Sequence, residues 1–465
     1  MKKDREIFEL TPAQNMINFM LKYSFFHKQV IQIPASVIFE KKVDFEIMKK
    51  ALNIEIERND CMRLRYFKKG GKFYLYFLDE YKEENIPVLS FSSKEEQERY
   101  LEKDAKKTVH HMKGEIYRFI FFNTYDGRQG IYINVNHLTM DAAAVFVFFA
   151  DLFAVYDALT GEAEMPKPLA SFKNAIAKEL AYINDEEKVK ADKEFYTDFF
   201  KTGGAPIFNG VHGPELLQKA RVKKKNPKLR VLASFDPIHD KSELLKKPIS
   251  PDDSRAILEY IDNSGVSPEC LIQLGMRLYL AKLNESINDG IIDTYFVTLC
   301  TRRKTLSDKR CGGSMTSTLP WRIILDPELT FNQALDKMKE LQYKIFRHQD
   351  YPFTEWRDVE GEIFNYGMAD GASTMMFSWF PLEENTMNGW KYEFNGYNIG
   401  RYVMPLYTYT MKDFKNNSLK FAYLYRTNHI TEENINALHE NTVKALNMGC
   451  KNPEIKIKEI YNALA

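Results

Sequence analysis

Cysteine is scarce in this chain and poorly placed for a structural job. Five of the 465 residues are Cys (Cys61, Cys270, Cys300, Cys311 and Cys450), an odd number, far apart, with no Cys-x-x-Cys pair. That argues against a disulfide framework and against a thiolate metal site. With 22 Gly and 18 Pro the chain is neither fibrous nor low in complexity. No sign of charge dominates, 65 Lys+Arg facing 64 Asp+Glu, which speaks against a nucleic acid as partner. The longest apolar run, Ala142 to Ala150, stops at Asp151, and the start Met1-Lys2-Lys3-Asp4-Arg5-Glu6 mixes both signs without leading into an apolar segment. The expectation is a cytoplasmic protein with no signal peptide, no membrane span and no membrane partner.

Several chemistries lack their motifs. There is no Gly-x-x-x-x-Gly-Lys-Ser/Thr loop, no Gly-x-Gly-x-x-Gly after a strand, no Gly-x-Ser-x-Gly elbow and no His-Glu-x-x-His. Nucleotide, dinucleotide, serine-hydrolase and zinc-protease readings lose their support. The basic run Lys223-Lys224-Lys225 reads as a solvated loop, given a net charge of +1.

What is present is a globular α/β pattern: 44% hydrophobic and 14% aromatic residues in a chain long enough for two domains. Thr11-Pro12-Ala13-Gln14 offers an N-cap hydroxyl, Pro at the first helical position and Gln three residues after the cap, so a helix starts there. An amphipathic helix over Val43–Glu57 and strands over Met62–Phe67 and Lys72–Leu78 follow, the strands split by Lys69-Gly70-Gly71.

The stretch from Glu115 to Gly161 carries the most information. A strand over Ile116–Thr124, a turn at Asp126-Gly127 and a second strand with Ile131, Ile133 and Val135 alternating against Tyr132, Asn134 and Asn136 make a hairpin. His137 continues the odd-numbered face, expected to be the buried one. Thr139 or Asp141 then caps a helix that runs to about Leu159 and ends at Gly161; it is apolar almost all round and belongs inside the domain. His137, four residues before Asp141, is a candidate acid–base group or a hydrogen-bonded core residue on this geometry alone. His110-His111 reads as a decoy, since Glu115 leads a strand. Strands and helices mix in both halves, and a boundary near residue 175 gives two α/β sandwich lobes, 1–175 and 176–465.

Separate segments then fall into one order. Leu10-Thr11-Pro12-Ala13-Gln14, Arg58-Asn59-Asp60-Cys61-Met62-Arg63-Leu64-Arg65-Tyr66, Asn136-His137-Leu138-Thr139-Met140-Asp141-Ala142, Gly313-Ser314-Met315-Thr316-Ser317-Thr318-Leu319-Pro320-Trp321-Arg322, His348-Gln349-Asp350-Tyr351-Pro352-Phe353 and Met375-Met376-Phe377-Ser378 resemble the motif segments of condensation domains of nonribosomal peptide synthetases, in the chloramphenicol-acetyltransferase-like superfamily. The third resembles the family's His-His-x-x-x-Asp-Gly, with Asn136 at the first His and Ala142 at the Gly. Ser317 stands where the family has Asn.

The resemblance implies two chloramphenicol-acetyltransferase-like α/β lobes in a V with a central tunnel. It implies amide-bond formation between an acyl or aminoacyl thioester on a carrier protein and an amine, the substrates riding on phosphopantetheine arms, with no permanently bound cofactor and no metal. Acyl and peptidyl carrier proteins are the implied partners, with a small-molecule amine as another acceptor. His137 takes the place of the active-site imidazole, Asp141 that of a structural carboxylate, and Arg63 that of its ion-pair partner. Asn136, which cannot be charged, and Ala142, which resists a positive φ, leave room for two other readings: an acyltransferase using acyl-CoA or forming an ester, and a non-catalytic domain that recruits carriers. The chain reads as a freestanding enzyme or an excised domain.

Overall fold

The Thr11 signal opens a helix as expected: Pro12–Lys22 begins with a reciprocal capping box, Thr11 Oγ1 accepting from Gln14 N–H and Gln14 Oε1 accepting from Thr11 N–H. It belongs to a computed structural model that describes residues 5–24, 26–233, 236, 238–288, 290–380, 386–413 and 417–465. Met1 to Asp4, part of the start read above for targeting, lie outside the described residues.

The chain divides into two compact units, each mixing sheet and helix: residues 1–189 with 301–317 and 384–400, and residues 190–300 with 318–383 and 401–465. The sequence reading placed a single boundary near 175; the first unit instead takes back two later segments. One of them, Trp390–Gly396, pairs antiparallel with Gln32–Phe39 and so completes the first unit's sheet.

That sheet runs in the order Thr386–Met387, Trp390–Gly396, Gln32–Phe39, Gln129–Asn136, Tyr117–Asn123, Val88–Ser90. The expected hairpin is present, Tyr117 pairing with Val135 and Asn123 with Gln129. The alternation read from sequence is only half the story, because every residue of Gln129–Asn136 is buried. The even-numbered side is covered too: Tyr132 meets the Tyr397 ring at 5.6 Å, and Asn134 Nδ2 donates to Asp104 O in the helix Lys94–Ala105. Covering elements on both faces turn an alternating strand into a fully buried one.

The opposite face carries the helix Ala142–Leu159. Phe148 stacks on Phe119, and Phe153 lies parallel to Trp390 with ring centroids 4.4 Å apart. This helix has the length and apolarity of a membrane-crossing one, but half of it is buried inside the unit. Arg58, at the end of the helix Phe45–Arg58, grips Asp151 with two bonds, Nε to Oδ2 at 2.6 Å and Nη2 to Oδ1 at 3.0 Å. Burial and the neighbouring Asp151 push the Glu55 carboxyl well above its ordinary range.

The second unit is built on a sheet ordered Thr316–Leu325, Ile292–Thr301, Met376–Phe380, Leu406–Asp413, Ser418–Arg426, Ser242–Pro248. Its core centres on Pro268–Leu283, a helix buried along nearly its whole length. The His348-Gln349-Asp350-Tyr351 segment acts as a staple there. His348 stacks on Phe195 at 3.8 Å and bonds Asp192 Oδ1, while Tyr351 stacks on Tyr196. All five cysteines are free thiols.

Candidate active site

His137 sits one residue past the end of a central strand, where its N–H donates to Ile31 O at 2.7 Å and prolongs the pairing with Gln32–Phe39. The chain then turns: Thr139 N–H and Met140 N–H both donate to Asn136 O, at 2.9 and 3.2 Å. Three distant segments hold this turn. Gln14 Nε2 donates to Leu138 O at 2.9 Å, Ser314 N–H donates to Thr139 O at 3.0 Å, and the Tyr66 hydroxyl lies 3.4 Å from Thr139 Oγ1. The residues singled out in four separate stretches of sequence thus converge on one turn.

Asp141 closes it as the N-cap of Ala142–Leu159. Its Oδ1 accepts from Ala144 N–H at 2.8 Å. Its Oδ2 accepts from Arg303 Nη1 at 2.8 Å, Met315 N–H at 2.7 Å and Thr316 Oγ1 at 3.1 Å. The carboxylate is 1% exposed. Burial alone would raise its pKa, but the Arg303 charge and bond, with the Met315 and Ala144 N–H groups, hold it below the ordinary carboxylate value. Asp141 is therefore an ionised strut at neutral pH rather than a proton carrier.

The partner of Asp141 is Arg303, and the expectation of Arg63 is corrected. Arg63 spends its guanidinium on backbone carbonyls: Nη1 donates to Ile56 O and Glu57 O at 2.7 and 2.5 Å, and Nε to Leu78 O at 3.1 Å. Ile56 and Glu57 lie in the last turn of Phe45–Arg58, whose final carbonyls have no intrahelical partner, so the cation caps that helix. Arg303 uses all five of its N–H donors: on Asp141, on Thr301 Oγ1, and on the Cys311 and Gly313 carbonyls.

The segment that carries Arg303 is itself pinned. Gly312 and Gly313 lie so close to their neighbours that a Cβ would fall 2.3 Å from the Asn59 amide and 2.0 Å from the Phe172 ring. Cys61 Sγ donates to Gly312 O at 2.8 Å.

His137 is half-buried. Its Nδ1 is shut off from solvent without a hydrogen-bond partner. Burial lowers its pKa below the ordinary imidazole value, although the Asp141 charge and the residue's own backbone pull the other way. The ring is neutral near pH 7 and keeps a lone pair.

Asn136 is fully buried. Its Oδ1 accepts from Leu138 N–H at 2.9 Å, which turns Nδ2 toward His111 Nδ1, 3.2 Å away. That donor fixes the His111 lone pair on Nδ1 and its proton on Nε2. Burial pushes the His111 pKa down to about 4, so this ring is neutral as well. The supposed decoy thus touches the residue next to His137. Ala142 is the first residue of its helix and takes no positive φ, so its methyl is accommodated without strain.

Two site residues went unread in the sequence. Arg303 lies two residues past the end of a strand, the one local signal, but charged residues follow many strands. His111 gave no signal beyond its residue type.

The condensation domain sequence model matches residues 4–463. The chain is a member of the condensation domain family. This condensation domain is 20% identical over 438 residues to a plipastatin synthase subunit of Bacillus subtilis (strain 168), covering 93% of this chain and 16% of that protein; it spans about a sixth of that relative's length. Its fold is that of the first condensation domain of the calcium-dependent antibiotic synthetase, solved with a substrate analogue, at a TM-score of 0.80, 15% identity and 98% and 99% coverage of the two chains. A mutant starter condensation domain of rhizomide synthetase, solved in complex with C8-CoA, matches at a TM-score of 0.78 and 14% identity over 97% and 96% of the chains. It is thus a condensation domain of the kind found in nonribosomal peptide synthetases. Among the described residues no cluster of His, Cys, Asp and Glu is arranged to hold a metal ion.

Proposed function

We propose that this condensation domain forms an amide bond between an acyl or aminoacyl thioester, carried on the phosphopantetheine arm of a carrier protein, and an amine acceptor, with His137 as the catalytic group. The observation that carries the reading is the pairing of a neutral, half-buried imidazole with a turn locked by Asp141 and Arg303. A docking module has no use for an acid–base imidazole, whereas the Asp141–Arg303 lock would serve any domain of this fold.

The chemistry asks little more of the protein. The amine nitrogen attacks the thioester carbonyl carbon, the C–S bond breaks, the thiol leaves, and one proton passes from the nitrogen to the sulfur. A thioester is already activated, so no covalent nucleophile is required; positioning and proton handling suffice. A neutral His137 accepts that proton, or a hydrogen bond from the amine, without first having to lose one of its own. Asp141 keeps the turn that bears the ring in place.

A second reading, acyl-CoA as donor, draws support from the C8-CoA in the rhizomide starter domain. A third, a carrier-recruiting domain without catalysis, draws on Asn136 at the first histidine of the motif. An intact-mass assay separates them: acyl-loaded carriers and acyl-CoA are offered separately, with aminoacyl carriers or free amines as acceptors, to the wild type and His137→Ala. Condensed product from carrier donors, lost in a folded His137→Ala protein, is expected. Product from acyl-CoA alone favours the second reading. Carrier binding with no product from any pair favours the third.

A further inference from the structure

No other residue bonds His137 Nδ1, which is buried without a partner. The direction of the imidazole therefore follows from the backbone of the turn that bears it, from Asn136 to Met140, and whatever sets that turn aims the ring.

Most braces on the turn hold its backbone, as Gln14 does at Leu138 O and Ser314 at Thr139 O. One brace holds a side chain. Asn136 Oδ1 accepts from Leu138 N–H at 2.9 Å, so the amide spans His137, and its Nδ2 donates to His111 Nδ1 at 3.2 Å. His111 also reaches the far side of the turn. Its ring meets that of Tyr66 at 82°, with centroids 5.9 Å apart, and the Tyr66 hydroxyl lies 3.4 Å from Thr139 Oγ1. One imidazole thus backs residues 136 and 139, on either side of His137.

His111 is itself firmly placed. It opens the single helical turn His111–Lys113, ended by Gly114 at φ 91°. Gln32, the strand partner of Asn136, ties down the chain leading to it: Oε1 accepts from Val109 N–H at 2.7 Å and Nε2 donates to Lys107 O at 3.0 Å. The ring is 7% exposed, and its Nε2 is buried without a partner. An unpaired buried donor is a cost that an apolar side chain would not bear. What the imidazole supplies is the Nδ1 lone pair that the Asn136 amide needs. Burial first, then Lys28, His110 and Lys68, keep the ring neutral, so the lone pair is present.

We propose that His111 is a positioning residue for His137: by holding the Asn136 amide and the Tyr66 ring, it sets the turn that aims the His137 imidazole. Its effect on turnover rests on the acyl-transfer reading, whereas its effect on the ring is readable without turnover.

The test compares His111→Leu, which removes the acceptor, with His111→Asn, whose Oδ1 falls where Nδ1 lies, both in the full chain. Two readouts are taken. The first is the imidazole C–H signals of His137 in nuclear magnetic resonance, followed through a pH titration; the second is kcat and KM with the donor and acceptor that the intact-mass assay selects. In His111→Leu the His137 signals should move, and its titration should rise toward the ordinary value near 6.5 as water reaches a ring that burial now holds lower. Its kcat should fall by about tenfold or more with KM within about twofold of the wild type. His111→Asn should restore both readouts. If His111→Leu does not fold, His111→Met, with its adaptable apolar chain, takes its place. Unchanged His137 signals and titration in the folded variant would overturn the proposal, whatever its melting temperature, and so would an equal displacement in His111→Asn. A wild type that transfers no acyl group would sink the acyl-transfer reading, and the imidazole signals would still decide this one.

Discussion

Arg303 and Asp141, 162 residues apart in the chain, meet at 2.8 Å with both side chains almost wholly withdrawn from water. A buried pair of this kind is a poor source of net stability but a costly thing to halve, because the survivor is left charged and unsolvated. Asp141→Ala and Arg303→Ala are each expected to lower unfolding free energy by about 3–5 kcal/mol. Arg303→Lys should recover little, since an ammonium cannot reach Asp141, Thr301, Cys311 and Gly313 together. Urea denaturation of the three variants checks this, and a loss below about 1 kcal/mol in Arg303→Ala would contradict it.

Arg63 supplies the contrast. Removing its helix-capping bonds to Ile56, Glu57 and Leu78 should cost about 1–3 kcal/mol and leave the Asp141 lock untouched. Arg63→Ala is therefore expected to melt earlier yet keep its turnover at temperatures where it is folded. Abolished turnover in folded protein would count against this assignment.

The lowered pKa of His137 sets a pH profile. On the role proposed for His137, activity needs the neutral ring, and the ring in the folded protein protonates only below the ordinary imidazole value near 6.5. The limb that this ring sets in kcat/KM should accordingly lie below pH 6.5, read after the ionisation of the amine acceptor, about 8 for an α-amino group, has been divided out of the profile. A limb at or above about pH 7 would mean that the titrating group is not this imidazole.

His111 makes a prediction about stability. Its folded pKa is about 4 against 6.5 for the free side chain, so between those values the unfolded chain takes up a proton that the folded protein refuses. Stability contributed above pH 6.5 is lost as pH falls toward 4, at up to about 1.4 kcal/mol per pH unit from this ring. His111→Gln should flatten that part of the pH–stability curve, read by urea midpoints at intervals from neutral pH down to about 4.

Asn136→His would restore the residue type common at this position in the family. Here it would remove the amide that serves Leu138 N–H and His111 Nδ1 together, and a larger ring would have to enter a site that is 0% exposed. A loss of about 1–3 kcal/mol is expected, read from the shift in urea midpoint. A variant as stable as the wild type would show that the surroundings of His111 yield more readily than their packing implies.

Much of the site's local frame was legible in the sequence. The Thr11 capping box, the Tyr117–Asn136 hairpin and the helix that Asp141 caps each announce themselves through residues within a few positions of one another. What stayed hidden was tertiary. The even-numbered side of Gln129–Asn136 is buried because Lys94–Ala105 and Tyr397 cover it, and no periodicity within the strand reports on a lid from elsewhere. The choice between Arg63 and Arg303 is of the same kind: both are arginines beside strands, and only the folded chain shows that one faces open helix carbonyls and the other a buried carboxylate.

Because Trp390–Gly396 pairs with Gln32–Phe39, and Arg303 completes the turn after His137, the first unit is assembled from stretches of chain made at very different times. During synthesis the Gln32–Phe39 strand must wait, one edge open, until more than three hundred further residues have emerged. An open edge of that kind is a template for pairing with another chain. Fragments that stop before residue 390 should therefore aggregate although they contain the whole His137 motif, and an expression boundary that keeps both units whole lies beyond Ser418–Arg426, the last strand of the second.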